Sequence, residues 1–190
     1  MKITKFKIIL GSSSPRRRDI LTQMGINFDV RVCDEEEKYP KNLKGKEVSE
    51  YLAIQKAKFL KGSIKKGELL ITSDTIVCND NIILTKPRDK TEAFKMLNGL
   101  SGKTHKVITS VCLCSIKKKV VFSDETSVRF SELDDDIISY YIEQHHPFDK
   151  AGSYGIQEWI GLIGIDRIKG SYTNVVGLPS SKLFQRIRNF

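Results

Sequence analysis

The chain has 190 residues, 39% of them hydrophobic and 29% charged, with 32 Lys and Arg against 23 Asp and Glu for a formal net charge of +9. That length suffices for one sizeable core, and the composition excludes disordered, collagen-like and disulfide-scaffold classes. No apolar run approaches the roughly 20 residues that span a bilayer.

The N-terminal MKITKFKIILG turns polar too soon to read as a secretory signal. Cys33, Cys78, Cys112 and Cys114 contain no CxxC pair and read as reduced thiols of a cytoplasmic protein. The positive charge suits an anionic partner, but the lysines are scattered along the whole chain. No helix-turn-helix, zinc-finger spacing or aromatic-basic pattern accompanies them, so no specific nucleic acid is expected, and a nucleotide is the more economical partner.

In chain order, Ile8, Ile9 and Leu10 form a short apolar run expected of a buried strand. Gly11 and three serines follow, and Pro15 stands at a first helical position with Ser14 as N-cap. Ile20, Leu21 and Met24 supply an apolar stripe at helical spacing, and Gly25 ends the helix. Arg16, Arg17 and Arg18 therefore crowd the first turn, where the helix dipole favours acids. Either this is a solvated basic helix end, or an anion sits there, bound by free N–H groups, serine hydroxyls and guanidinium forks. The loop is neither a Walker A nor a GxGxxG motif.

Phe28, Val30 and Val32 alternate as a half-buried strand that runs into Asp34-Glu35-Glu36-Glu37, a solvated acidic loop or a means of retaining Mg²⁺ beside polyphosphate. Lys46 to Leu60 reads as a helix with Val48, Tyr51, Leu52, Gln55 and Phe59 on its inner face and Lys56 at the border. ELLITSDTIV, Glu68 to Val77, reads as a buried central strand. Asp74 within it needs partners. It either caps a nearby turn or acts as a general base or metal ligand.

Residues 79–81 make a turn, Ile82 to Leu84 returns as a paired strand, and Thr85 to Asp89 is a basic loop containing Lys86. Asp89 and Glu92 form a capping box for a helix from Lys90 to Asn98, with Phe94 and Leu97 inward. Lys103 to Ile116 and Val120 to Phe130 pair across a lysine turn. A helix covers Asp134 to Gln144; His145 and His146 mark its solvated end, and His105 is an ordinary strand histidine. KAGSYGIQ allows close approach to a ligand, and the Gln157 amide can both donate to and accept from a base edge. Gly170 to Pro179 reads as a strand and turn leading into a last helix with Leu183, Phe184 and Ile187 inward. The pattern is α/β, with parallel and antiparallel strands mixed in one sheet flanked by helices.

GSSSPRRRDIL, the acidic stretch ending in Glu37, Gln55-Lys56-Ala57, SDTIV, KPRD, LSGKTH, DKAGSYGIQ and GSYTNVVGLP occur in an order that resembles the Maf proteins, within the inosine-triphosphate-pyrophosphatase-like superfamily. The resemblance spans Gly11 to Pro179. It implies one domain over residues 1–190 with two lobes and an active-site cleft between them, and commonly a homodimer. It also implies cleavage of a nucleoside triphosphate to the monophosphate and pyrophosphate with Mg²⁺ or Mn²⁺.

By that resemblance Ser12, Arg16 and Arg17 form the phosphate-binding loop, and Lys56 and Lys86 approach the triphosphate. Asp74 is the proton acceptor and Glu37 an acid of the catalytic site; both are candidates to hold the metal. Arg16, Thr75 and Gln157 set base preference, and Gln157 matches the branch acting on dTTP and UTP, where a 7-methyl-GTP branch carries an acid. Glu158-Trp159-Ile160 has fewer glycines than the family places after this glutamine. The competing reading is a nucleotide- or nucleic-acid-binding regulator, linked to cell division, that does not hydrolyse; a phosphatase acting on smaller esters is a third.

Overall fold

In the computed structural model, which describes residues 3–32, 38–80 and 82–190, the apolar run around Asp74 becomes the central strand β3 (Glu68–Asn79). Before it come β1 (Lys7–Leu10), α1 (Pro15–Gln23), β2 (Phe28–Val30) and α2 (Lys46–Leu60). After it come β4 (Ile82–Leu84), α3 (Lys90–Leu100), the hairpin β5 (Thr104–Cys114) and β6 (Lys119–Phe130), and α4 (Asp135–His145). The chain closes with α5 (Trp159–Gly164), β7 (Ile165–Lys169), α6 (Tyr172–Val176) and α7 (Ser180–Arg188). Among the described residues these strands form one mixed sheet of order β2-β1-β3-β5-β6-β7, with β4 paired to β3. β1 is parallel to β2 and β3; the other pairs are antiparallel.

β3 alternates its side chains between two helical layers, as a strand buried on both faces must. Leu69 and Ile71 join Leu21 of α1 and Leu183 and Ile187 of α7 on one face. Leu70 meets Ala53, Ala57 and Leu60 of α2 on the other. Burying each such leucine contributes about 1.5–3 kcal/mol. A further apolar cluster joins Leu97 and Leu100 of α3 to Phe130, Ile138, Tyr141 and Ile160. Cys112 and Cys114 lie buried in β5 as free thiols, and burial raises the Cys112 thiol to about 11. No helix among the described residues is long and apolar enough to cross a membrane.

Several expectations need correction. The inner face of α2 is Val48, Ser49, Leu52, Ala53, Ala57 and Leu60, whereas Tyr51 and Phe59 stay 37% and 42% exposed. Small residues let the helix lie close to the sheet, a gain that an aromatic stripe would forfeit. Gly170 to Pro179 holds no strand: Ser171 caps α6 by accepting from the Asn174 N–H, and this local capping outweighs the β-propensity of Val175 and Val176. The strand of that region is β7, a largely exposed edge held through the β6 backbone, so it carries no apolar alternation. α3 runs past Gly99 because Leu100 seats fully in the core. Phe184 is only partly buried, and Val32 is 50% exposed beyond the end of β2. The acids 34–37, Glu37 included, lie outside the described residues.

At the start of β3, Glu68 is 6% exposed and takes a two-pronged ion pair from Arg31, Nη1 to Oε2 at 2.7 Å and Nη2 to Oε1 at 2.6 Å. The Lys65 N–H adds a third donor at 2.9 Å. Hydrogen bonding from Arg31, then from the Lys65 backbone, outweighs burial and lowers the carboxyl from 4.5 to about 2. The native pKa lies below the unfolded one, so the stabilisation is complete above about 4.5 and is lost as pH falls towards 2. We expect Glu68→Gln to cost about 2 kcal/mol at pH 7. In urea denaturation the gap to the parent protein should narrow progressively below pH 4.5.

Candidate active site

β3 keeps β5 from Leu70 to Cys78 on one edge but changes partner on the other. There β1 pairs with residues 68–71 and β4 with residues 77–79, and among the described residues no strand lies alongside residues 72–76 between them. The backbone turns away from β1 at Gly11, whose N–H still donates to the Ile71 carbonyl at 2.8 Å. A Cβ at Gly11 would lie 2.6 Å from Thr72 Cγ2 and 2.9 Å from Leu60 Cδ1, so only glycine allows the chain to leave here. A cleft of about 640 Å³ opens beside the gap. Its walls include Ser12, Arg16, Arg17, Lys56, Asp74, Thr75, Lys86 and Gln157, every expected site residue that the described segments contain.

Asp74 and Thr75 leave the strand on opposite faces and meet different supports. Asp74 is 6% exposed and accepts from Lys56 Nζ of α2 at 2.6 Å. A buried carboxylate keeps its charge at acceptable cost only with such a partner. The other face of β3 carries a directed chain of hydroxyls. Thr109 Oγ1 donates to the Asn174 carbonyl at 2.8 Å, so it accepts from Thr75 Oγ1 at 2.9 Å. Thr75 Oγ1 in turn accepts from Arg17 Nη2 at 3.3 Å. Asn174, fully buried, also accepts from the Thr109 N–H and donates to Val107 O and Thr126 Oγ1.

Arg17 is thereby stretched along the cleft floor. Its Nε donates to Gly177 O at 3.0 Å and its Nη1 to Ser12 Oγ at 3.2 Å. Ser14 offers α1 no side-chain cap; its own N–H donates to Ser12 Oγ at 3.2 Å. Arg16 reaches across the cleft, its Nη1 2.8 Å from Asp149 Oδ2. Burial would raise the Asp149 carboxyl, but hydrogen bonds from Lys150 and Arg16 hold it below its usual value. Lys86 and Gln157 are exposed at the mouth. The cleft therefore joins an anion cradle of hydroxyls and guanidinium to an acid already paired with an ammonium group. That combination can hold a polyanion and take a proton from water beside it.

Asp149, Lys150, Thr109, Asn174 and Tyr154 have no foreseen part in this cleft. Lys150 is buried, with Nζ 2.6 Å from Asp149 Oδ1 and 3.0 Å from Glu158 Oε1. Only the glycine punctuation of residues 150–157 hinted at such close packing. His105, expected to be ordinary, is 2% exposed with Nε2 2.7 Å from the Tyr154 hydroxyl, and burial depresses it to about 4. It is neutral at pH 7. His145 stacks on Tyr141 and Trp159, and His146 ends α4 at φ 46°. Among the described residues no group of three His, Cys, Asp or Glu could hold a metal ion by itself.

The sequence profile described as Maf-like protein matches residues 7–190. The dTTP/UTP pyrophosphatase of Flavobacterium psychrophilum is 50% identical over 188 residues, which cover 99% of this chain and 96% of that protein. The dTTP/UTP pyrophosphatase of Parabacteroides distasonis is 47% identical over 189 residues, covering 99% and 98%. Among solved structures, a dITP/XTP pyrophosphatase from Mycobacterium abscessus aligns with TM-score 0.49 at 14% identity over 97% of each chain, a distant likeness and no more.

Thr109→Val keeps the side-chain shape while removing the hydroxyl that joins Thr75 to Asn174. It should cost about 1–3 kcal/mol in urea denaturation. Because Arg17 leans on Thr75, it should also weaken binding of inorganic tripolyphosphate severalfold by calorimetry.

Proposed function

Because the chain belongs to the Maf-like proteins, we propose that it hydrolyses dTTP and UTP between the α and β phosphates, releasing the monophosphate and pyrophosphate. The observation that carries this reading is the facing pair of devices in one cleft: Arg17 cradled by Ser12, Thr75 and the Gly177 carbonyl, and Asp74 locked to Lys56. The names of relatives at 50% and 47% identity over nearly whole chains support the substrate pair.

Arg17, Ser12 and the start of α1 receive the phosphate chain, with Arg16 and Lys86 as further cations at the rim. Water enters beside Asp74, gives its proton to that carboxylate, and its oxygen bonds to the α phosphorus as the bond to the bridging oxygen breaks. The leaving pyrophosphate carries the bonding electrons, and Lys56 and Lys86 offset its charge. Gln157 reads the base: its amide donates to a uracil or thymine carbonyl and accepts from the ring N–H.

A divalent cation, Mg²⁺ or Mn²⁺, fits this donor set in a specific way. Mg²⁺ is commonly held by one or two carboxylates together with substrate phosphates rather than by an all-protein cage. Asp74 supplies one carboxylate in the cleft, and Glu37, outside the described residues, is the second candidate. The ion supplies charge neutralisation and polarises phosphoryl oxygens when bound. The setting is the cytoplasm, which the free thiols Cys78, Cys112 and Cys114 suit. A homodimer is supported by the apolar surface at α5, where Leu162 and Ile163 are 82% and 44% exposed and Trp159 packs on the half-exposed Tyr140.

A panel of nucleotides with Mg²⁺ tests the reading: UTP and dTTP should yield monophosphate and pyrophosphate, with turnover lost on chelation. Asp74→Asn should lower kcat on the order of 10²-fold or more while UTP still binds. Release of inorganic phosphate, or binding without turnover in the parent protein, would refute it. Gln157→Glu should reduce kcat/KM for UTP at least tenfold, because an ionised carboxylate cannot donate to the uracil carbonyl.

A further inference from the structure

The turn that carries Gln157 is pinned at both ends by groups to which no part in the reaction has been given. Gly155, Ile156, Gln157 and Glu158 form a turn closed by the Glu158 N–H donating to the Gly155 carbonyl at 3.0 Å. At its first residue the Gly155 N–H donates to the Tyr141 hydroxyl at 3.0 Å. That hydroxyl donates in turn to Glu158 Oε2, so a single oxygen ties the start of the turn to the side chain at its end. Glu158 Oε1 takes Lys150 Nζ at 3.0 Å. Tyr141 is fully buried and Lys150 is 8% exposed.

The carboxylate lies flat over Gly155: a Cβ there would sit 2.6 Å from Glu158 Cδ. Gln157, between the pinned residues, is exposed and lines the cleft. Burial, with help from the Glu158 carboxylate, keeps the Tyr141 hydroxyl protonated and so able to donate at any working pH.

An amide has an intrinsic weakness as a base reader. Turned one way it complements uracil or thymine; rotated by half a turn it complements cytosine, whose ring nitrogen accepts and whose amino group donates. Discrimination by Gln157 therefore depends on how firmly the chain beneath it is held. We infer that Tyr141 and Glu158, seated by Lys150, are positioning residues that fix the 155–158 turn and thereby set the preference for uracil and thymine over cytosine. This rests on the reading above, in which Gln157 reads the base of a nucleoside triphosphate.

UTP and CTP share sugar and triphosphate, so the ratio of their kcat/KM values isolates base reading, and inhibition by tripolyphosphate isolates phosphate binding. Tyr141→Phe should lower the UTP-to-CTP ratio on the order of tenfold, mainly through KM for UTP, with kcat within about twofold and tripolyphosphate inhibition unchanged. Glu158→Ala should do the same, and Glu158→Gln, which still accepts from Tyr141, should recover most of the ratio. In a Gln157→Ala background neither Tyr141→Phe nor Glu158→Ala should change the ratio further.

A purely structural network would depress UTP and CTP turnover equally; that result, or additivity with Gln157→Ala, overturns the inference while leaving the reaction intact. If the parent protein does not hydrolyse UTP, or does not prefer it to CTP, the underlying reading fails and the inference falls with it. If Tyr141→Phe does not fold, the partly exposed Glu158 carries the same test through its two variants.

Discussion

Backbone pairing sets the position of the chemistry. A strand in the middle of a sheet normally hides both edges, and its peptide groups are satisfied along its whole length. β3 has one unbroken partner only on its β5 side, from Leu70 to Cys78. On its other edge the parallel partner β1 stops at Ile71 and the antiparallel partner β4 starts at Val77, and the interval is where Asp74 and Thr75 stand. Two side chains consecutive in sequence are thereby delivered to one opening from opposite faces. α2 brings an ammonium group to Asp74, while β5 and α6 bring a hydroxyl chain to Thr75. The cleft is a consequence of changing partners along a strand, and β1 can end there because Gly11 has no side chain to collide with Thr72.

Three of the cations around the opening already face carboxylates. Arg16 faces Asp149, Lys56 faces Asp74, and Lys150 lies between Asp149 and Glu158. Buried cations without such partners would cost the fold several kcal/mol each. The crowding of arginines at the start of α1, unfavourable for the helix dipole, is answered in two ways: Arg17 donates to three oxygen acceptors, and Arg16 meets a carboxylate from across the cleft. In the proposed reaction the phosphate chain meets groups already aimed into the opening, with little side-chain ordering left to complete.

The legible parts of this arrangement were those written in local pattern. The strand around Asp74, the helix entered at Pro15, the capping box at Asp89 and the lysine hairpin all appear where periodicity and turn chemistry put them. A carboxyl embedded in an apolar strand and arginines at a helix start announce themselves, because each is costly alone. Asn174 and Thr109 gave no such sign: their role is satisfied by contacts 65 positions apart in the chain, and β-branched neighbours made α6 read as a strand. Tyr141 looked like one more apolar residue on α4, and its hydroxyl partner lies in a segment whose elements α5 and β7 have no strong period. Tyr51 and Phe59 misled for the opposite reason: their size suggested burial, but α2 meets the sheet through alanine and serine.

The split edge also constrains how this sequence can change. Side chains of a strand alternate, so a residue gained or lost between Ile71 and Asp74 would exchange the directions of everything beyond it. The acid would then point into the layer that holds Arg17 and Asn174, and the threonine towards Lys56. Neither loop lengthening nor compensating surface substitution could restore both sides at once. Extra residues can be housed at the solvent-facing turns, whereas the spacing across this short interval cannot change without exchanging the two sides of the opening.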